Sequence, residues 1–322
     1  MSRYLILTTK IALSLGLVWY AFSKVDVGGA MELLRNISAY AIVVVLVLMF
    51  VQMLIAALRL RELLTMLGAR CDMIDAVDVV MIGAFFSQTM ISFIGGDAMR
   101  IWRIVRSSTS VGVATRSILF DRTAGFVGLI ILALLGLPFL LQMIKQPELR
   151  ISLLIVMAGF VAGFLFFLSL RHMPAVFKRW QVFNLVADFA EEAVALSRNK
   201  KGLIALLGLS LSIHIMNVVI LYVIALFLSI EITFLNALIL LPPVLFMSML
   251  PISVAGWGIR EGAMVVALNM VNVPAHQSLA LSICFGLCAL AISLPGGALW
   301  FYTRSHGNND APVATTSAPR ED

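Results

Sequence analysis

Charge is scarce in this sequence. Only 12% of its 322 residues are Asp, Glu, Lys or Arg, against ~25% in a soluble domain. Cysteine is scarcer: Cys71, Cys284 and Cys288 are too few for a disulfide framework. Cys284 and Cys288 share a helix face, but two thiols alone make a poor metal site. His172, His214, His276 and His306 show no ligand spacing. Near the membrane face there is no Asp-x-Asp pair of the kind a magnesium-dependent transferase would use. Asp72, Asp75 and Asp78 are spaced in a loop and read as surface, and nucleophile motifs are missing. No cofactor and no metal are expected. His214 and Asn217 read as interhelical hydrogen bonders.

What fills the chain instead is hydrocarbon. The sequence is 61% hydrophobic and its mean hydropathy is +1.03. No soluble fold has the interior to hide so much apolar surface, so lipid must solvate most of it. Apolar runs of about 20 residues without two-residue alternation are helices. They fall near residues 4–22, 40–58, 77–95, 118–140, 151–170, 203–228, 232–250, 252–272 and 278–302. The fold class is all-α, a polytopic helical membrane protein. Ala21-Phe22-Ser23 loosely mimics a cleavage site, but the polar break at Thr8-Thr9-Lys10 and the later spans favour an uncleaved first helix. The tail 303–322 reads as disordered. The net charge of +6 reports orientation and anionic headgroups, not nucleic acid.

The basic residues decide which segments cross. If 77–95 crossed fully, the basic loops 99–117 and 171–201 would land outside, against the positive-inside tendency. If 77–117 enters and returns on one side, sixteen Lys and Arg lie inside, Arg59 and Arg100 among them, and four outside. The same device at 232–272, where Pro242-Pro243 should break the helix, makes a second hairpin entering from the other face. The expected architecture for residues 1–302 is one transmembrane domain built from two inverted repeats, about 40–140 and 203–302. Each repeat has a re-entrant helical hairpin, and an amphipathic linker, 171–201, joins them. In that linker Val176, Trp180, Phe183, Ala187, Ala190 and Val194 form an apolar stripe, with Lys178, Arg179, Asp188, Glu191 and Glu192 on other faces. Both termini are expected on the cytoplasmic side of the inner membrane.

Three stretches put ionisable groups into apolar helix, at a cost of at least ~2.5–3.5 kcal/mol per charge. They are FIGGDAMRIWRIVR with Gly95, Gly96, Asp97 and Arg100, FDRTAG with Asp121 and Arg122, and LPISVAGWGIREGA with Pro251, Gly256, Gly258, Arg260, Glu261 and Gly262. Gly96 precedes Arg100 by four residues, as Gly256 precedes Arg260. Asp97 and Arg100 would share a helix face. The first two patches have plain structural readings: a surface salt bridge for Asp97–Arg100, a helix cap for Asp121 and headgroup snorkelling for Arg122; Arg260–Glu261 is the hardest to dismiss in this way. The functional reading makes backbone N–H groups at a hairpin tip and the arginines an anion site, with Glu261 and Asp97 holding the arginines, contacting a cationic part of the headgroup or carrying a coupling proton.

GGDAMR, DRTAG and LPISVAGWGIREGA, in this order among many helices, resemble the transmembrane region of lysylphosphatidylglycerol synthases, a family of flippase-like membrane proteins. The resemblance runs over about 5–302. It implies a module that moves lipid between leaflets and marks Gly95, Gly96, Asp97, Arg100, Asp121, Arg122, Pro251, Gly256, Gly258, Arg260, Glu261 and Gly262 as candidate substrate-binding residues. It also implies an anionic or modified phospholipid, a hopanoid-type lipid or a prenyl-linked lipid as cargo. Its partners would be membrane lipids with anionic headgroups and a lipid-synthesising enzyme. The chain stops at Asp322 without room for an aminoacyltransferase domain, so synthase activity is not expected. An intramembrane lipid-modifying enzyme and a small-solute secondary transporter are the alternatives.

Overall fold

The computed structural model describes residues 26–89, 93–107, 109–144, 146–169, 181–249 and 256–306. The expected first helix, 4–22, residues 307–322 of the expected tail and Pro251 lie outside them, while 303–306 belong to the last described helix. Among the described residues the chain is helical throughout. The helices are α1 (Val27–Arg35), α2 (Ala39–Met66), α3 (Met73–Thr89), α4 (Phe93–Arg106), α5 (Val111–Met143), α6 (Pro147–Ser169), α7 (Gln181–Arg198), α8 (Lys200–Phe227), α9 (Phe234–Ser248), α10 (Ile259–Asn269) and α11 (Ala275–His306). Side-chain oxygens cap several of them: Ser38 accepts from Ala41 N, Ser110 from Val113 N and Thr233 from Asn236 N.

Five helices are long and apolar enough to cross a membrane: α2, α5, α6 from Arg150, α8, and α11 to Arg304. The other four core helices are short. α3, α4, α9 and α10 have 17, 14, 15 and 11 residues. At 1.5 Å per residue the longest reaches ~26 Å, short of the ~30 Å of hydrocarbon in a bilayer.

The long helices fix the ends of the bundle. Along the α2–α8 seam Tyr40 meets Phe227, with ring centroids 6.1 Å apart. Gln52 Nε2 donates to Ile213 O at 3.0 Å and Arg59 Nη1 to Ser210 Oγ at 3.1 Å. Numbers rise on α2 as they fall on α8, so the two helices are antiparallel. Phe120 of α5 clusters with Leu63 and Leu206, whereas Leu140 and Ile144 join Ile224, Leu228 and Leu279. One end of the bundle therefore gathers the end of α2 and the starts of α5 and α8. The other gathers the end of α8, the end of α5 and the start of α11. The α3–α4 pair connects the end of α2 to the start of α5, so it enters and returns at the first end. The α9–α10 pair does the same at the second.

Among these eight helices, exchanging α2 with α8, α3 with α9, α4 with α10 and α5 with α11 leaves the set of packed pairs unchanged; α1 on α11, α7 on α8 and α5 on α6 have no counterpart among the described residues. α3 on α11 has its counterpart in α9 on α5, α2 on α3 in α8 on α9, and α5 on α8 in α11 on α2. Close approach needs small residues at these crossings. A Cβ on Gly296 of α11 would overlap the backbone of Met81 in α3, and one on Gly96 of α4 would overlap Ser87 and the Gly83 carbonyl.

Some expectations change. Pro242 and Pro243 lie inside α9, which runs unbroken to Ser248 with Pro242 buried. Pro138 and Pro295 likewise lie within α5 and α11; packed neighbours tolerate the missing donors. Arg59, assigned to an inner loop by the charge count, is inside α2 and 8% exposed. Asp78 is not surface: Arg103 Nε donates to it at 2.6 Å, and Nη2 to Asp75 at 3.1 Å, tying α4 to α3. The linker helix α7 buries Ala187 and Ala190 and exposes Asp188 and Glu191, as its pattern predicts. Phe189 stacks on Phe120 of α5 at 4.3 Å. The positions at 176 and 180 lie outside the described residues.

Candidate functional site

The charged stretches assemble into two clusters, one on each short helix pair. The first joins α2, α4, α5 and α8. Phe93 opens α4, so Gly95 and Gly96 fall in its first turns and Asp97 follows them. Asp97 does not pair with Arg100. It takes a two-armed ion pair from Arg122 of α5, Nη2 to Oδ1 at 2.6 Å and Nε to Oδ2 at 2.9 Å. Arg100 turns instead to Asp121, Nη1 to Oδ2 at 3.5 Å. The other oxygen of Asp121 accepts from Arg59 Nε at 2.8 Å. Arg59 also reaches Ser210 of α8, and His214 Nε2 lies 2.8 Å from the Gly125 carbonyl. A carbonyl only accepts, so that ring nitrogen carries the proton. Asp121 is thus mid-helix in α5, far from the Ser110 cap, and it is a bridge between two arginines rather than a cap.

Burial grades across this cluster. The side chains of Arg122 and Asp97 are 35% and 23% exposed, those of Arg100, Arg59 and Asp121 13%, 10% and 5%. The cluster runs from the molecular surface inward. Small residues make room for it. A Cβ on Gly83 of α3 would overlap the Arg100 side chain, and Gly125 lies against the Arg59 guanidinium.

The second cluster sits where α10 begins. Gly256 and Gly258 have φ of +80° and +87°, a left-handed backbone that glycine alone adopts freely. This turn starts the helix, and Glu261 caps it by accepting from Gly258 N. The same carboxylate holds Arg260: Nη2 donates to Oε1 at 2.7 Å and Nε at 3.1 Å. Ser282 of α11 hydrogen-bonds both, 3.2 Å to each. The Arg260 guanidinium lies 4.7 Å from the Trp257 ring centroid. A Cβ on Gly286 of α11 would overlap it. Glu261 is 1% exposed and Arg260 8%. Gly262 meets nothing within 4 Å of an added Cβ.

Arg100 of α4 reaches α5, the helix that follows it, and Arg260 of α10 reaches α11 in the same way. A model of the lysylphosphatidylglycerol synthase transmembrane region matches residues 7–297. The chain belongs to that family. A search of curated proteins finds no match. The family match takes in both clusters, four of the five long apolar helices and most of the fifth, which makes this an integral, multi-pass membrane protein.

The sequence singles out Asp97, Arg100, Asp121, Arg122, Arg260 and Glu261, and the structure draws the first four into one network and the last two into another. It adds Arg59, Ser210, His214, Gly83, Ser282 and Gly286. Arg59 carried a usable signal: an arginine seven residues inside the end of an unbroken apolar helix must pair or reach water.

Proposed function

We propose that this protein is a lipid translocator. The observation that carries the reading is the first cluster: five charged side chains, graded from the surface inward, held among membrane-spanning helices by a short helix pair. Charges at that depth are costly unless paired, and they mark the path of a polar group through hydrocarbon. A lipid headgroup is such a group, and its tails can stay in the bilayer while it passes. The two four-helix sets are read as repeats of inverted topology, with hairpins entering from opposite faces, a common build for carriers that alternate access. The family description points the same way, since a lysylphosphatidylglycerol synthase makes a lipid headgroup. The cargo classes are an anionic or modified phospholipid, a hopanoid-type lipid and a prenyl-linked lipid. A lipid-synthesising enzyme would then be a natural partner.

Orientation follows from charge. The bundle end with Arg61, Arg70, Arg116, Arg198, Lys200 and Lys201 would face the cytoplasm across an inner membrane.

Leaflet exchange tests the reading. Purified protein is reconstituted in vesicles carrying fluorescent lipids, and a membrane-impermeant quencher reports the outer leaflet. Wild type should exchange label well above protein-free vesicles, and Arg100→Ala and Arg260→Ala should fall at least tenfold. Wild-type rates equal to protein-free vesicles for both anionic and zwitterionic lipids would reject it.

A further inference from the structure

The two clusters differ in charge balance. Arg260 and Glu261 cancel. The Arg260 Nε and Nη2 donate internally, both Glu261 oxygens are engaged, and Ser282 closes the set. The N-terminus of α10 already holds the chain's own carboxylate there. The first cluster does not cancel. Arg59, Arg100 and Arg122 face Asp97 and Asp121, leaving one net positive charge among the described residues. Arg100 is where the excess falls. Its one ion pair is the longest of the cluster at 3.5 Å, and its buried Nε meets no acceptor among the described residues. A buried charge left unmatched by protein is expensive, so a counter-charge is expected from elsewhere.

We infer that the first cluster, and not the second, seats one monoanionic phosphate group, with Arg100 as its principal donor. The inference rests on the translocator reading for the source of that phosphate, a lipid headgroup. It also sets the headgroup's chemistry. All four oxygens of Asp97 and Asp121 lie within 3.5 Å of an arginine nitrogen. A headgroup ammonium finds no free carboxylate here. A phosphodiester with a neutral alcohol, net −1, neutralises the cluster. A zwitterionic headgroup brings an ammonium with its phosphate, so one net positive charge stays buried. The seat therefore discriminates by net charge as well as by the presence of phosphate. The edge at Asp97 and Arg122 gives the headgroup its way in.

The test measures thermal stabilisation of the purified full chain in non-ionic detergent. It titrates dihexanoylphosphatidylglycerol, dihexanoylphosphatidylcholine and inorganic phosphate separately. The glycerol lipid should reach half-maximal stabilisation at a concentration at least tenfold below the choline lipid. Arg100→Gln should abolish that preference. Arg260→Gln should keep it, whatever it does to the baseline melting point. Should Arg100→Gln fail to fold, Asp97→Asn is the second variant: it adds one net positive charge and should lower the glycerol lipid's midpoint. Equal midpoints for the two lipids overturn the seat. So does a preference lost in Arg260→Gln but kept in Arg100→Gln, or an Asp97→Asn midpoint that fails to fall. Inorganic phosphate matching the glycerol lipid, with Arg100→Gln abolishing both, upholds the seat but moves its occupant to a free anion, which counts against lipid translocation. Leaflet exchange at protein-free rates, with the lipid preference intact, likewise rejects the translocator alone.

Discussion

Arg59 shows how one side chain ties distant parts of the chain together. It donates to Asp121, 62 positions away, and to Ser210, 151 positions away. Removing one partner of a buried ion pair strands the other, at a cost of about 3–5 kcal/mol. Arg59→Ala should therefore lower the unfolding midpoint in detergent sharply, while Arg61→Ala, two residues on and exposed, should leave it nearly unchanged. A small effect at Arg59 would mean that Arg100 alone satisfies Asp121. Charges in apolar context were legible as candidates because each is anomalous where it stands. Their pairing was not: Asp97 and Arg100 share a helix, yet each bonds across to α5. Glycine and serine partners such as Gly83, Gly286 and Ser210 carry no signal of their own. They matter only for what lies over them.

At the scale of an element, α10 owes its start to two left-handed glycines and one carboxylate. Gly258→Ala forces a Cβ into φ of +87°, costing roughly 1–2 kcal/mol from the backbone alone. It would also disturb the Gly258 N–H that Glu261 accepts. Gly262→Ala, four residues later on the same helix, meets open space and should be neutral or slightly stabilising. Paired melting curves of the two variants check this; equal losses would mean that the turn is not what holds the helix. The three glycines near Arg260 and Glu261 thus have different duties, which the motif does not distinguish. Pro242-Pro243 shows the opposite error. Local propensity says break, and packing of α9 against α5, α8 and α10 overrides it.

For the molecule as a whole, the bias of basic residues marked 77–117 and 232–272 as segments that do not cross. Five long helices and two short pairs in those places agree with that reading. Boundaries moved by up to eight residues, as for α2, because apolar content does not show where a helix leaves hydrocarbon. The proposed inverted arrangement makes a labelling prediction. Cys71 lies in the link from α2 to α3, and Glu231 is exposed in the link from α8 to α9. In sealed vesicles, Cys71 and a Glu231→Cys thiol in a Cys71→Ser background should react with an impermeant maleimide from opposite sides. Burial and the carboxylates of Asp75 and Asp72 push the Cys71 thiol above its ordinary range. Less of it is thiolate at neutral pH, so its labelling should be slow there and quicken as pH rises. Reaction of both from one side would end the inverted reading.

The exchange of helix sets keeps the packing but not the charge, since an excess arginine on one pair answers a cancelled ion pair on the other. In the proposed translocator, two helix sets of matched packing and unequal electrostatics would make a lopsided carrier. A negatively charged cargo would then saturate it at different concentrations from the two leaflets. Detailed balance still governs the outcome: without a coupled gradient the lopsidedness sets how fast each leaflet loads the protein, and leaves the resting distribution of lipid untouched.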